Sequence, residues 1–378
     1  EVVPEGQSSS SKIWYLPHHK VETDKKPGKI RVVFDCAAEF KGESLNDKCK
    51  QGPDLNNKVV HVLLRFRQYL LAIMADVEAM YYQVRVKVSD RDALRFLWID
   101  SSGKVVEYRM NAHIFGGVWC ACIATYAMRK TLEDQKVEDE FVVDVVNRSF
   151  YVDDCLRSVS SVEEAKKVVV DVKQVLQEGG FNLTKFVTND EEVLATIKEE
   201  DRAKEIEEFD DDVVSKALGI SWEVKQDVFK IKIDVKQEEV VTRKIMLKVI
   251  ASMYDPLGLV SPCVVTGRML FQEATRLKIG WEEAVPDHIA MRWKKWIEEL
   301  DELKNVSFPR CMKKEGVRYE VHNFSDASEK GYGCCSYLKS ILADGSIHVS
   351  LMMSKARVSP MKHVTIPRLE LQAALVAA

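Results

Sequence analysis

The spacing of apolar positions changes several times along the chain, and each change marks a predicted element. Residues 1–28 are polar and irregular. "GKIRVVFDC" then reads as a strand, with Pro27-Gly28 as the turn before it. "KGESLNDKCKQGPDLNN" reads as a loop, and "VVHVLLRFRQYL" as a helix of mixed periodicity. "LLAIMADVEAMYYQVRV" opens as an apolar run and meets its first carboxylate at Asp76. It predicts a short strand ending in Asp, followed by a helical turn. "DALRFLWID", "SSGK" and "VVEYRMNAH" predict a hairpin with a glycine turn. "FGGVWCACIATYAMRKTLEDQ" predicts a loop opening into a helix, with Gly116-Gly117 at its entry. "VVDVVNRSFYVDDCLRSV" is rich in β-formers on both sides of an aspartate pair, which predicts strand, tight turn and strand.

Further on, "SSVEEAKKVVVDVKQVLQEGG" carries helix signals, with Ser160 and Glu163 as a capping box and Gly179-Gly180 as the stop. "FNLTKFVTND" predicts a strand. "EEVLATIKEEDRAKEIEEFDDDVV" predicts an acidic, solvated segment. "KALGISWEVKQDVFKIKID" predicts a hairpin turning near Lys225 to Asp227. From about Thr242 the pattern is helical, with two amphipathic stretches around "YDPLGLVSP". After "SFPRCMKKEG" it returns to strands, and closes on a helix with Thr365 as N-cap and Pro367 early in the first turn.

Composition narrows the class without choosing a function. The 378 residues are 46% hydrophobic and 30% charged, which suits an ordinary chain able to bury sizeable cores in two or three domains. No apolar run approaches the roughly 20 residues of a membrane span. The polar start, Glu rather than Met at position 1, and a last helix that runs to the end suggest a piece of a longer product. Nine cysteines lack any paired C-x-x-C spacing, which disfavours zinc and a disulfide framework and favours a reducing compartment. The net charge of −4 argues weakly against a nucleic-acid coat, although a local basic groove is compatible with it.

Asp76 and the Asp153-Asp154 pair are the candidate chemistry. Each sits at the end of a β-like run, where a short turn exposes it. Two neighbouring strands would gather these carboxylates into a self-repelling cluster, and Mg²⁺ is the hard cation that relieves it. Two such ions about 3.5–4 Å apart would clamp both oxygens of an in-line phosphoryl transfer. The plain alternative is a solvated turn, a position aspartate readily takes.

At this point the chain resembles a known family. "YVDD" is similar to the Y-x-D-D box of reverse transcriptases, and "ADVEAMYYQV" to their first catalytic motif. The nearest resemblance is to BEL/Pao-type LTR retrotransposons. It extends through "KIRVVFDCAAEFKGESLND", "GGFNLTKFVTND", "LGISW" and "YDPLGLVSP", and so over nearly the whole chain from about Trp14. The resemblance implies that Asp76, Asp153 and Asp154 are catalytic metal ligands, Asp76 and Asp153 chiefly. It implies that Tyr81 is an aromatic gate against a 2′-hydroxyl, that Arg31 grips the incoming triphosphate, and that Lys185 protonates departing pyrophosphate. Gly116 and Gly117 would let backbone approach the nucleotide closely, and Leu218, Gly219 and Trp222 would form a primer-grip hairpin. Cys120-Ala121 departs from the family's Ser-Pro after the glycine loop, which bears on fidelity and activity.

Strand with Asp326, two more strands, then a helix with Glu370 resembles the beginning of a ribonuclease H fold. The resemblance implies that these two carboxylates are metal ligands and that further ligands lie past Ala378. Residues from about Thr242 also resemble segments labelled as Pao retrotransposon peptidase. No Asp-Thr/Ser-Gly tripeptide accompanies that label.

The fold expected is therefore α+β: a right-hand polymerase with fingers, palm and thumb, an antiparallel palm sheet, a helical connection and a truncated RNase H-like start. Its expected segments are 1–75 extension and fingers, 76–190 palm, 191–241 acidic segment and hairpin, 242–314 helical thumb or connection, and 315–378 RNase H-like. The expected activity is RNA-directed DNA polymerisation with two Mg²⁺ ions, for which Mn²⁺ could substitute. A template-primer of RNA or DNA, dNTPs and other segments of the same polyprotein are the expected partners, with no membrane. The expected location is cytoplasmic, in a retroelement particle, or nuclear. The alternatives are an inactive relic that binds nucleic acid and, remotely, a peptidase.

Overall fold

The computed structural model describes residues 1–4, 12–23, 26–204, 214–233, 235 and 238–378. Much of the acidic stretch of the sequence, at 205–213, lies outside them. The chain forms two compact units that alternate in sequence. One comprises Glu1–Asn57, Ala75–Cys155 and Lys167–Thr184; the other comprises Lys58–Met74, Leu156–Lys166 and Lys185–Ala378. The chain passes from one unit to the other five times, three of them within the strands Leu71–Val77, Asp154–Val159 and Leu183–Thr188. With Phe150–Tyr151 these make a four-stranded sheet, ordered Phe150–Tyr151, Asp154–Val159, Leu71–Val77, Leu183–Thr188.

In the first unit, two antiparallel hairpins, His18–Thr23 with Lys26–Phe34 and Arg95–Ile99 with Val105–Arg109, accompany the helices Cys120–Asp134 and Glu140–Arg148. Leu16, Phe34, Cys36, Leu45, Leu94 and Ile114 form a buried core there. The sequence misleads at Glu140–Arg148, which is a helix rather than the strand its valines suggest. Val142, Val145 and Val146 share one buried face, and Asp139 caps the first turn by accepting from the amides of Phe141 and Val142. Packing at helical spacing outweighs β-propensity. "KGESLNDKCK" likewise holds a short helix, Leu45–Lys48, closed by a reciprocal Ser44–Asp47 capping box.

The second unit contains the helix Val59–Phe66 and a sheet ordered Phe308–Pro309, Val228–Lys230, Ile220–Glu223, Val214–Ala217. Three helices follow, Arg243–Ser252, Ser261–Arg276 and Asp287–Asp301, around a core that includes Met246, Leu270, Trp293 and Trp296. Then come the strands Arg318–Ala327, Gly331–Ile341 and Ile347–Val358, paired antiparallel in chain order, and the helix Ile366–Ala377 against the first two. Thr365 holds the N-cap position, but its hydroxyl makes no capping bond. The capping box near residue 160 falls one residue later than expected. Ser161 Oγ accepts from the Glu164 amide, and the Glu164 carboxylate accepts from Ser160.

A buried guanidinium ties this unit together. Arg310 is 0% exposed. Its Nε and Nη2 donate to the Asp227 carboxylate at 2.5 and 2.8 Å, Nη2 also donates to the Leu70 carbonyl at 2.6 Å, and Nη1 donates to the Phe66 carbonyl. Beside it, Arg67 donates to the carbonyls of Pro309, Arg310 and Met352. Burial, and then the Arg310 charge, push Arg67 down to about 10, still charged at neutral pH. Removing one partner of such a pair strands the other. Asp227→Ala is expected to lower unfolding stability by about 3–5 kcal/mol in a denaturant titration. A loss below about 1 kcal/mol, the scale of an exposed pair, would show that the carbonyls alone satisfy Arg310.

Candidate functional site

Asp153 lies in the turn between Phe150–Tyr151 and Asp154–Val159, and Asp76 is the penultimate residue of Leu71–Val77. The two segments are bonded directly: the Val77 amide donates to the Asp153 carbonyl at 2.8 Å. Asp76, Asp153 and Asp154 are all half-buried. The backbone beside both is strained. Val152 has φ 56° and Ala79 φ 48°, the left-handed region that L-residues enter at a cost of about 1–2 kcal/mol. For a β-branched residue such as Val152 this is a genuine outlier, of the kind that collects at functional sites. Nothing in the sequence signals it. Asn57 anchors the base of the turn, its Nδ2 donating to the carbonyls of Asn147 and Phe150 at 3.0 and 2.8 Å.

Tyr81 sits on the short 3₁₀ turn Met80–Gln83 that follows Asp76, its ring edge-on to Phe115 at 4.7 Å. Burial raises its phenol above the ordinary range, and Cys120 and Asp153 add to the shift, so the ring lies within electrostatic reach of the aspartate turn. Gly116 has φ +99°, and a Cβ there would meet the Phe34 carbonyl oxygen at 2.8 Å. A Cβ at Gly117 would meet the Trp119 ring. Asn46 holds this loop from both sides: its Nδ2 donates to the Gly116 carbonyl at 3.2 Å, and its Oδ1 accepts from the Val118 amide at 3.0 Å. Asn46 is a positioning residue that sequence reasoning missed. Its only signal was its place beside Ser44 and Asp47 in "ESLND".

The other candidates are more scattered. Arg31 is exposed on Lys26–Phe34, opposite Val21. Lys185 is exposed at a left-handed kink, φ 55°, within Leu183–Thr188. Leu218 and Gly219, at φ 47° and 92°, form the two-residue turn between Val214–Ala217 and Ile220–Glu223. The Tyr254 ring lies over Gly219. Trp222 lies on the same hairpin and faces inward. It is 0% exposed, edge-on to Phe66 at 5.2 Å, and its Nε1 donates to Asp227. It is a core residue with no surface to offer a primer. Asp326, opposite Gly333, lines a cleft of about 260 Å³ together with Pro262, Met269 and Arg357. Glu370 is half-buried on Ile366–Ala377.

The residues at the aspartate turn suit a hard cation in one specific way. Among the described residues, no three His, Cys, Asp or Glu side chains are grouped to hold an ion by themselves. Mg²⁺ is commonly held by one or two carboxylates with substrate phosphates completing its shell. Two carboxylates on bonded neighbouring segments, beside a glycine loop, fit that arrangement and not an all-protein cage. Among the described residues, no helix is long and apolar enough to cross a membrane.

The fold is a mixed helix-and-sheet architecture that resembles retroviral reverse transcriptase/RNase H. Two solved structures show the likeness. One is of the foamy viral protease-reverse transcriptase dRH in complex with double-stranded DNA, with TM-score 0.64 and 13% identity, covering 95% of this chain and 54% of that one. The other is of the foamy viral protease-reverse transcriptase in complex with RNA/DNA hybrid, with TM-score 0.59 and 13% identity, covering 96% and 42%. The chain thus spans about half the length of these proteins, and at this identity the likeness concerns fold alone. More particularly, residues 242–378 match the family described as the Pao retrotransposon-like RNaseH-like domain, and that segment is such a domain. No curated protein matches the chain.

Two outcomes check this geometry. Gly116→Ala, which meets a backbone oxygen at an unfavourable φ, is expected to destabilise the chain by about 1–3 kcal/mol in thermal unfolding. An unchanged midpoint would mean that the loop can move away. Burial holds Cys36 up at about 12 and Cys120 at about 11, so both stay protonated at pH 8. Peptide mapping after N-ethylmaleimide treatment at that pH should find both unmodified in the native chain and labelled in denaturant.

Proposed function

We propose that this chain is the RNA-directed DNA polymerase segment of a BEL/Pao-type retroelement polyprotein, joined to an RNase H-like domain. The observation that carries it is the pairing of the "YVDD" turn with the Asp76 strand through the Val77–Asp153 backbone bond. That pairing sits in a chain of which 95% aligns with a reverse transcriptase structure.

In this function a primer 3′-oxygen attacks the α-phosphorus of a dNTP in line. The new O–P bond forms as the bond to the β-phosphate oxygen breaks, and pyrophosphate leaves. Asp76 and Asp153 would hold Mg²⁺, with Asp154 beside them, and the metal would supply charge neutralisation for the phosphates and the attacking oxygen. The protein's own part is positioning. The Tyr81 ring, backed by Phe115, would stand against a ribose 2′-hydroxyl. Gly116 and Gly117 admit close backbone approach, and Asn46 fixes their loop. Arg31 would meet the triphosphate and Lys185 the departing pyrophosphate. Any grip on the primer would come from the Leu218-Gly219 turn, supported from beneath by Trp222.

One observation favours the second function, a non-catalytic nucleic-acid binder. Cys120 opens the helix after the glycine loop, buried and protonated, where a reverse transcriptase has Ser-Pro.

The test is extension of a DNA primer on an RNA template with Mg²⁺. Asp76→Asn and Asp153→Asn should each lower the rate by about 10²–10³-fold, the scale of losing one charge-stabilising group. Tyr81→Val should raise ribonucleotide incorporation relative to dNTPs. If the unsubstituted chain binds primer-template but does not extend it, the non-catalytic function replaces this one.

A further inference from the structure

The first unit contains a cavity of about 840 Å³ that the polymerase function does not use. None of Asp76, Tyr81, Asp153 or Asp154 lines it. Its size lies within the range of small-ligand sites. The walls are apolar, with Leu45, Val84, Val86, Leu94 and Ile123, and both Trp14 and Trp119 present indole surface. The charged residues around it are unbalanced: Lys12, Lys48, Lys50, Arg85 and Lys87 against Asp90 alone. Lys12 pairs with Asp90, and Lys48 with Glu43. Among the described residues, Lys50 and Arg85 have no ion-pair partner, and both are exposed.

A buried polar group is also left over. His113 is 8% exposed, lines the cavity, and has no hydrogen-bond partner at Nδ1. An unsatisfied buried polar atom calls for an explanation, and a ligand supplies one. Burial lowers the imidazole's basicity, so it is neutral at pH 7 and Nδ1 can pair with a ring heteroatom. Cys49, half-buried, brings a thiol to the same wall.

We infer that this cavity binds a flat heteroaromatic anion the size of a nucleoside monophosphate. Its ring would lie against Trp14 and Trp119, its polar edge would meet His113, and its anionic group would reach Lys50 and Arg85. Aromatic stacking and a charge-assisted contact at the rim are the matching interactions.

AMP is the probe, titrated calorimetrically into the full chain, with N-ethylmaleimide labelling of Cys49 followed by peptide mass mapping. Saturable AMP binding that slows Cys49 labelling is expected. Lys50→Ala and Arg85→Ala, both on the surface, should each weaken it about tenfold, equivalent to about 1.4 kcal/mol. Asp153→Asn should leave AMP binding intact, so the site stands or falls independently of the polymerase function. Loss of AMP binding in Asp153→Asn would mean that AMP occupies the nucleotide site and would overturn the inference. So would AMP binding without protection of Cys49. Protection by a single-stranded oligonucleotide but not by AMP would overturn it too, by assigning the surface to a nucleic-acid strand.

Discussion

The second unit depends on Arg310. Its guanidinium is wholly buried, yet each of its N–H-bearing nitrogens has an acceptor. Those acceptors come from two stretches far apart in sequence: Phe66 and Leu70, between the helix Val59–Phe66 and the strand Leu71–Val77, and Asp227 in the hairpin turn. Arg67 extends the set to Met352 in the C-terminal sheet. A buried ion pair is seldom worth much net stability, because desolvation offsets the attraction. What it does here is join these segments: each donor is satisfied by an acceptor from one of them. The Phe66 and Trp222 rings lie within 5.2 and 5.9 Å of the guanidinium carbon and add cation–π contact. Leu70, one of the acceptors, directly precedes the strand Leu71–Val77.

At its other end that strand meets a site built as much from backbone as from side chains. Val152 and Ala79 hold left-handed conformations on either side of the bond between Val77 and Asp153. Surrounding contacts must pay for such strain, and Asn57 and Asn46 are the local clamps. Asn57 uses its side-chain amide to join the end of the helix Glu140–Arg148 to the strand before the aspartate turn, and Asn46 uses its own to hold the glycine loop. The chemistry proposed for the site asks for fixed positions more than for reactive groups, so rigid backbone is the property that matters.

Much of this was legible from the sequence, and the gaps have physical causes. The strand to Asp76, the turn at Asp153, the later hairpins and the late helices follow from alternation, glycine turns and amphipathic spacing, whereas the strand His18–Thr23, paired with Lys26–Phe34, falls in a polar stretch that reads as irregular. The resemblance of the C-terminal part to Pao retroelements agrees with the family match over 242–378. Glu140–Arg148 was misread because four valines resemble a strand until one sees that three of them share a helical face. The cap at Ser161 was displaced because two serines precede it. Arg310 could not be found, since an arginine in "SFPRCMKKEG" looks like a surface residue until its distant acceptors are known. Trp222 in "LGISW" carried a motif's function, yet its indole N–H is directed inward to Asp227.

The helices and the C-terminal sheet of the second unit also pack as one piece, which suits a family match that begins at Thr242 rather than at the first strand. Asp255 closes the turn that precedes Ser261–Arg276 by accepting from the amides of Leu259 and Val260, both at 2.8 Å, and burial pushes its carboxyl above the usual range. The turn it stabilises brings Leu257 and Gly258 against Ser354: the Ser354 amide donates to the Leu257 carbonyl, and its hydroxyl donates to the Gly258 carbonyl. Only glycine fits at 258, where φ is +69° and a Cβ would collide with the Ser354 carbonyl. Gln272, more than two turns later, donates to Ser359 at 2.6 Å. Contacts at Ser354, within the strand Ile347–Val358, and at Ser359, just past its end, tie both the turn and the helix to one strand, so the "YDPLGLVSP" joint packs as a corner between helix and sheet. The cleft beside Asp326, lined by Pro262 and Met269 from that helix, is a direct product of this corner.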